Sequence, residues 1–234
     1  MIITCLIGDP VEHSVSPTMF SIYARKLEME YSHVKFRVSP QNLGDAIKAI
    51  KSLNITGANI TLPHKLDVIK HLDHLDISAK AIGAVNTILN KNGQLIGYNT
   101  DGIGAIKAIE TKLKKVNEKD VVLVIGAGGA ARAIIYELSK KTNNITVLNR
   151  TVDIGRAMQL KKDFSKFVNI RIDKLSKSNL IKYITYANIV INATPVGMYP
   201  KSSKTIVEEK ILEEVNKISK IKNKLFFDAI FNPY

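Results

Sequence analysis

Apolar positions along the chain change period at about its midpoint, and the two halves predict different architectures. The first half opens on an apolar run, Ile2 to Ile7, that predicts a strand. Ser16-Pro17 then signals a helix start, with Ser16 as N-cap and Pro17 as the first helical residue. Phe20, Tyr23, Ala24 and Leu27 follow at helical spacing as its expected buried stripe. Val34, Phe36 and Val38 alternate as a strand, and Ser39-Pro40 opens a second helix lined by Leu43, Ile47 and Ile50. A strand is predicted over 55–60 and a short helix around 66–72. Residues 85–89 and 94–98 flank Asn92-Gly93, a pair suited to a tight hairpin turn. At Asn99-Thr100-Asp101 a further helix begins, carrying Ile106, Ile109 and Leu113.

The second half has the rhythm of a parallel sheet. Residues 121–125 are continuously apolar, as expected of a strand covered on both faces. Further strands are predicted at 145–148, 168–172, 189–191 and 225–227, alternating with helical stretches. The fold class is therefore α/β with two domains, the second a Rossmann-type doubly wound parallel sheet. The expected divisions are 1–101, a linking helix over 102–118, and 119–234.

Composition narrows the picture. The hydrophobic fraction is 45% and the charged fraction 24%, as in ordinary globular proteins. The chain contains no apolar run of 18 residues, so no spanning helix is predicted. Met1 to Gly8 lacks a basic lead-in and a small-residue cleavage pattern, and reads as a strand rather than a signal peptide. The single cysteine, Cys5, has no partner for an internal disulfide and fits a reducing, cytoplasmic setting. The net charge of +13 is consistent with nucleic-acid binding. The lysines are scattered, however, and the densest group (Lys217, Lys220, Lys222, Lys224) lacks aromatic interleaving, so it reads as a solvated face. A positive field equally suits a phosphorylated cofactor and a carboxylate substrate.

Chemistry concentrates first where the strand over 121–125 meets Gly126-Ala127-Gly128-Gly129-Ala130-Ala131. Gly126, Gly128 and Ala131 match G-x-G-x-x-A. The first glycine makes the turn, the second admits a pyrophosphate to the backbone, and the alanine lets helix and strand pack closely. An NAD-selective fold places an acid about 20 residues later to hold the ribose hydroxyls. Here Asn149-Arg150-Thr151 occupies that place, and a guanidinium with small polar neighbours suits a 2′-phosphate. NADP is the expected cofactor. Arg150 reads alternatively as an exposed loop residue and Thr151 as a helix cap, and Arg156 is a second phosphate candidate. Asn192-Ala193-Thr194-Pro195-Val196-Gly197-Met198, at the carboxyl end of a later strand, reads either as a nicotinamide-side loop or as a structural turn.

Four segments of the first half complete a recognisable set: Ser14-Val15-Ser16, Asn59-Ile60-Thr61-Leu62-Pro63-His64-Lys65, Gly83-Ala84-Val85-Asn86-Thr87 and Asn99-Thr100-Asp101. With the glycine loop, Asn149-Arg150-Thr151 and the 192–198 motif, the chain resembles the shikimate dehydrogenase family almost end to end. The resemblance implies a substrate-binding first domain and an NADP-binding second one. It also implies reversible reduction of 3-dehydroshikimate to shikimate, a step of aromatic amino acid biosynthesis. It assigns Ser14 and Ser16 to the substrate carboxylate; Asn59, Thr61 and Asn86 to substrate binding; and Lys65 with Asp101 as a catalytic pair. Gly126, Ala127, Gly128, Gly129, Ala130, Asn149, Arg150, Thr151, Ala193, Thr194 and Met198 are assigned to the cofactor. A small-molecule substrate is expected as partner, without nucleic acid or membrane, in a monomer or homodimer. Each residue also has a plainer reading: Ser16 and Asp101 as helix caps, Ser14 as a loop serine, Lys65 as a surface lysine.

Two departures modify that expectation. Phe231 stands where the family normally has a substrate-reaching tyrosine, and the family's final return helix, which bears a substrate-binding glutamine, has no counterpart. Weaker substrate affinity, lower stability or compensating oligomerisation is the corresponding expectation. Alternatives are a quinate/shikimate dehydrogenase of broader specificity, or a cofactor-binding protein with impaired turnover.

Overall fold

Two sheets organise the chain, one in each of the units Met1–Thr100 and Asp101–Tyr234. The computed structural model describes residues 1–112, 115–198, 203–219 and 224–230. Leu113, Lys220, Lys222 and Phe231, which carried expectations above, lie outside these described residues.

In the first unit the chain runs β1 (Ile2–Gly8), α1 (Ser16–Lys26), β2 (Tyr31–Arg37), a 3-10 turn at Pro40–Asn42, α2 (Leu43–Ser52) and β3 (Gly57–Ile60). A second 3-10 turn (Asp67–His71), β4 (His74–Leu75), α3 (Ile77–Ile82), β5 (Thr87–Lys91) and β6 (Gln94–Tyr98) complete it. The six-stranded sheet has the order β2-β1-β3-β5-β6-β4. β1 pairs parallel with β2 and β3, while β5 runs antiparallel to β3 and β6. The hairpin turn falls where the sequence puts it: Asn92 and Gly93 both adopt positive φ (53° and 84°), as a type I′ turn requires. The predicted stripe of α2 is the core of this unit, with Leu43, Ile47 and Ile50 all buried against Cys5, Ile7 and Ile60. Burial pushes the Cys5 thiol up to about 11, so it is a packing residue and not a reactive one.

Helix α1 departs from its expected reading in two ways. Val15, not Ser16, holds the cap position, and Ser16 and Pro17 are the first two helical residues. Of the predicted stripe only Ala24 is buried; Tyr23 and Leu27 are 56% and 67% exposed. The cause is position: α1 lies over β2 at the edge of the sheet, and Phe20 takes the contact by packing on the rings of Tyr31 and His33. The sequence pattern also passes over α3, a helix of six residues that is too short to show a period. Its ends are nevertheless marked, by an Asp76 side chain accepting from Ser78 N and by Gly83 in the left-handed conformation.

The second unit contains α4 (Asp101–Lys112), β7 (Val122–Ile125), α5 (Gly129–Ser139), β8 (Ile145–Asn149), α6 (Arg156–Phe164), β9 (Arg171–Lys174), α7 (Lys177–Tyr186), β10 (Ile189–Asn192), α8 (Glu209–Ile218) and β11 (Leu225–Asp228). Its five strands are all parallel, in the order β11-β10-β7-β8-β9. Every residue of β7 is at most 1% exposed, which accounts for the unbroken apolar run. β9 begins later than predicted, because Val168 still closes the end of α6 through a bond to Phe164 O. Lys224 also departs from the solvated reading: its ammonium donates to Thr185 O and Ala187 O at 2.8 Å, satisfying the carbonyl end of α7. Among the described residues no helix is long and apolar enough to cross a membrane.

Helix α4 packs directly on α5, and the approach requires a residue without a side chain. A Cβ at Gly102 would press on the Ala133 carbonyl oxygen, 2.7 Å from its carbon. Gly102→Ala gains about 1 kcal/mol of helix propensity, but backbone overpacking costs about 1–3 kcal/mol. The expected result is net destabilisation, read as a lower denaturant midpoint with an unchanged slope; a raised midpoint would refute the close approach.

Candidate active site

All the chemistry-bearing segments of the first unit leave the same end of its sheet. β1, β2 and β3 end there, β5 begins there, and β6 ends there, as their parallel and antiparallel pairings dictate. Residues placed just after β1, just after β3, just before β5 and just after β6 are thereby neighbours, although up to 86 positions separate Ser14 from Thr100.

The Ser14 loop is held by the edge strand. Lys35 Nζ donates to Glu12 O at 2.6 Å and to Ser14 O at 3.4 Å, and Arg37 pairs with Asp9 at 2.7 Å. Ser14 Oγ accepts from Ser16 N at 3.3 Å and lies 3.0 Å from Ser16 Oγ. Ser14, not Ser16, therefore satisfies an amide at the helix start. Ser16 Oγ turns instead toward His33 Nε2, 3.2 Å away. His33 is 8% exposed, and that burial holds its imidazole below the usual histidine range.

Beyond β3 the chain is fixed rung by rung. Thr61 N donates to Ile7 O, Asp9 N to Leu62 O, and His64 N to Thr61 O. The Leu62–Pro63 peptide is cis. His64 is buried, with Nε2 2.7 Å from Val38 O, and Val85 N donates to the carbonyl of Lys65. Lys65 thus projects from an immobile backbone and is itself only partly buried. Asn86 is similarly locked: its Oδ1 accepts from Thr100 N at 3.0 Å and from Thr87 Oγ1 at 2.9 Å, and its Nδ2 donates to Thr100 Oγ1 at 2.9 Å. Asn59 Nδ2 reaches Thr87 Oγ1 at 3.5 Å, which joins it loosely to that network. Asp101 opens α4 in the second unit, where a carboxylate complements the helix dipole.

In the second unit, the crevice lies where strand order reverses, between β7 and β10. Gly126 takes φ 111°, and a Cβ there would meet Thr194 Cγ2 at 3.0 Å and Ala193 O at 3.1 Å. Gly126, Ala193 and Thr194 are therefore in contact. Gly128 caps α5 without a side-chain bond, and a Cβ there would meet nothing within 4 Å. The free space over Gly128, beside the amides of Gly129, Ala130 and Ala131, which have no partner within the helix, suits a pyrophosphate. Thr194 folds back on its strand, its Oγ1 donating to Asn192 Oδ1 at 2.8 Å. Asn192 Nδ2 in turn bonds Asp228 on β11 at 3.2 Å. Met198 N donates to Pro195 O, closing the turn. Asn149 Nδ2 donates to Thr151 O at 2.8 Å, which shapes the loop. Arg150 and Thr151 are exposed beside it, with no carboxylate at the end of β8. Arg156 begins α6 and is exposed. The donor set fits a dinucleotide bearing an extra phosphate.

Sequence inspection missed the residues that support the site: Thr4, Tyr31 and His33 behind the serines, Lys35 and Arg37 holding their loop, and Thr87 and Thr100 bracketing Asn86. A signal was present in β1 and β2. Thr4 interrupts an apolar run, and Tyr31, His33 and Lys35 alternate on one face of β2, with Thr4 directly opposite His33.

Comparison with known proteins agrees with this geometry. A family model described as the shikimate dehydrogenase substrate binding domain matches residues 6–88, and one described as shikimate / quinate 5-dehydrogenase matches 107–233. The NADP(+) shikimate dehydrogenase of Methanococcus maripaludis is 44% identical over 97% of this chain and 78% of its own length. A crystal structure of a shikimate dehydrogenase in complex with NADP+ superposes with a TM-score of 0.82 at 36% identity, over 98% of this chain and 84% of that one. The Thermus thermophilus enzyme in complex with NADP(H) and shikimate gives a TM-score of 0.81 at 30% identity, over 100% and 80% of the two chains. With both of its halves matched and its relatives aligned along nearly its whole length, the chain belongs to the shikimate dehydrogenase family.

Proposed function

We propose that this protein is a shikimate dehydrogenase, reducing 3-dehydroshikimate to shikimate with NADPH and running the reverse oxidation with NADP. The observation that carries the reading is the convergence of Ser14, Ser16, Thr61, Lys65 and Asn86 on one end of the first sheet. Two hydroxyls beside a helix start suit a carboxylate, and fixed amides and hydroxyls suit a polyhydroxylated ring. A cytoplasmic location and a monomer or homodimer, without nucleic acid, belong to the same reading.

When bound, NADPH supplies the hydride. What remains for the protein is to orient the ring and to deliver one proton to the carbonyl oxygen as the alcohol forms. Lys65 donates that proton in the reduction, and Asp101 is assigned with it as the second member of the catalytic pair. Ser14 and Ser16 hold the carboxylate end; Asn59, Thr61 and Asn86 hold ring hydroxyls and so present one face of the carbonyl carbon. Backbone bonds at Thr61, His64 and Lys65 make this orientation a property of the fold and not of the substrate. Gly126 to Ala130 receive the pyrophosphate, Ala193, Thr194 and Met198 line the nicotinamide side, Asn149 shapes the phosphate loop, and Arg150 with Thr151 receives the 2′-phosphate.

The decisive assay follows NADPH oxidation with 3-dehydroshikimate, and NADP or NAD reduction with shikimate and quinate. Turnover confined to the shikimate pair with NADP is expected. Turnover with quinate would favour the broader specificity named in the second family description, and no turnover with any pair would sink the enzyme assignment. Lys65→Ala is expected to lower kcat by about 10²–10⁴-fold, the range for a lost proton donor, while NADPH affinity by fluorescence titration stays nearly constant. Parallel loss of both would instead indicate a folding defect. Arg150→Ala is expected to raise the KM for NADP about tenfold or more, as for loss of a charge-assisted bond, with the KM for NAD little changed. An equal rise for both cofactors would remove Arg150 from 2′-phosphate recognition.

A further inference from the structure

Behind Ser14 and Ser16 runs a line of hydrogen-bonding groups that the reaction itself does not use. Tyr31 Oη lies 2.5 Å from Thr4 Oγ1, and Thr4 Oγ1 lies 2.7 Å from His33 Nδ1. On the other side of the ring, His33 Nε2 lies 3.2 Å from Ser16 Oγ, which lies 3.0 Å from Ser14 Oγ. The ring packs against Phe20 at a centroid distance of 4.6 Å, tilted by 42°, and is almost fully buried.

The direction of donation along this line decides what the serines can do. A neutral imidazole carries one N–H, so one ring nitrogen donates and the other accepts. If Nδ1–H donates to Thr4, Nε2 must accept the Ser16 proton, and Ser16 Oγ then has no hydrogen left for a ligand. If Nε2–H donates to Ser16 Oγ, the Ser16 O–H is free to point outward. The second arrangement needs Thr4 to donate to Nδ1, and Thr4 has its hydroxyl proton available for that when Tyr31 O–H is the donor of the pair with Thr4 Oγ1. Ser14 Oγ accepts from Ser16 N, and its own proton turns either to Ser16 Oγ, 3.0 Å away, or outward to a ligand.

We infer that His33 is a positioning residue, set by Thr4 and Tyr31 in its Nε2–H form so that Ser16 and Ser14 both present hydroxyl protons to the carboxylate of the substrate. This rests on the assignment of the two serines to that carboxylate. The line Tyr31→Thr4→His33→Ser16→carboxylate then donates in one sense throughout, and each bond polarises the next.

The test combines kinetics at saturating NADP with spectroscopy of the unaltered protein. His33→Phe and Thr4→Val are expected to raise the KM for shikimate about tenfold, as for one weakened hydrogen bond to a charged group, with kcat and the KM for NADP little changed. His33→Gln, which keeps an N–H for Ser16, is expected to recover most of that loss. In a Ser16→Ala background, His33→Phe is expected to add nothing further. Long-range proton–nitrogen correlation spectra of the shikimate complex are expected to show the His33 proton on Nε2. A proton on Nδ1 in that complex would overturn the inference even if the variants folded poorly. So would a full additive effect of His33→Phe on Ser16→Ala. If Ser16→Ala alone left the shikimate KM unchanged, the serine assignment itself would fall. If that variant raised KM while His33→Phe and Thr4→Val did not, only the role of His33 would be lost.

Discussion

The amide of Thr61 donates to the carbonyl of Ile7 at 2.9 Å, that of Gly126 to Leu148 at 2.8 Å, and that of Ala193 to Ile125 at 2.9 Å. Each of these amides lies immediately beyond the end of its strand, so the ladder runs one rung further than the strand. A loop normally leaves a sheet with two soft dihedrals per residue. Here its first residue is already tied to a neighbouring strand, and ordering one residue costs about 1–2 kcal/mol that folding has then already supplied. Thr61 and Lys65 in the first unit, and Gly126 with Ala193 and Thr194 in the second, inherit their positions from sheet register. The chemistry thus depends on strand pairing, which the buried cores of the two units secure.

Charge acts at a different range from these contacts. The net charge of +13 draws anions from a distance, but at physiological salt its reach is about 8 Å. Discrimination between one anion and another falls to local donors. In the proposed reading these are hydroxyls and amides in the first unit, and in the second the backbone amides at the start of α5 and the exposed guanidinium of Arg150. A fixed dipole loses less reorganisation energy on meeting a ligand than a mobile lysine does, so the proposed role of the Ser14 and Ser16 hydroxyls calls for a rigid arrangement behind them.

The sequence reveals these layers unequally. The strand over 122–125 and the glycine loop were legible because covered parallel strands leave an unbroken apolar signal and a positive-φ turn demands glycine. The proposed site residues are suggested mainly by resemblance, since Ser14, Lys65 and Asn86 have ordinary local explanations. Helix α1 was misread because periodicity reports which face is apolar, not whether anything covers it. The supporting groups were hidden for a different reason. Thr4, Tyr31 and His33 meet only after β1 and β2 pair in parallel, and a register that pairs residues 29 positions apart, such as Thr4 and His33, is a tertiary fact.

Strand β2 brings these points together. It is an edge strand, and exposed edges invite unwanted pairing unless charges guard them. Lys35 and Arg37 supply those charges, and the same two residues reach across to Glu12, Ser14 and Asp9. A surface ion pair such as Arg37–Asp9, with the arginine side chain 66% exposed, is screened by solvent and weak. Its value lies in direction more than in strength: several weak bonds from one strand fix a loop that a single one would leave mobile. His33, between them and Tyr31, faces inward from the same strand. One edge strand therefore protects the sheet with its end, holds the serine loop with its charges and, on the inference above, aligns the serine hydroxyls with its buried imidazole. Substituting its residues for solubility alone would disturb all three.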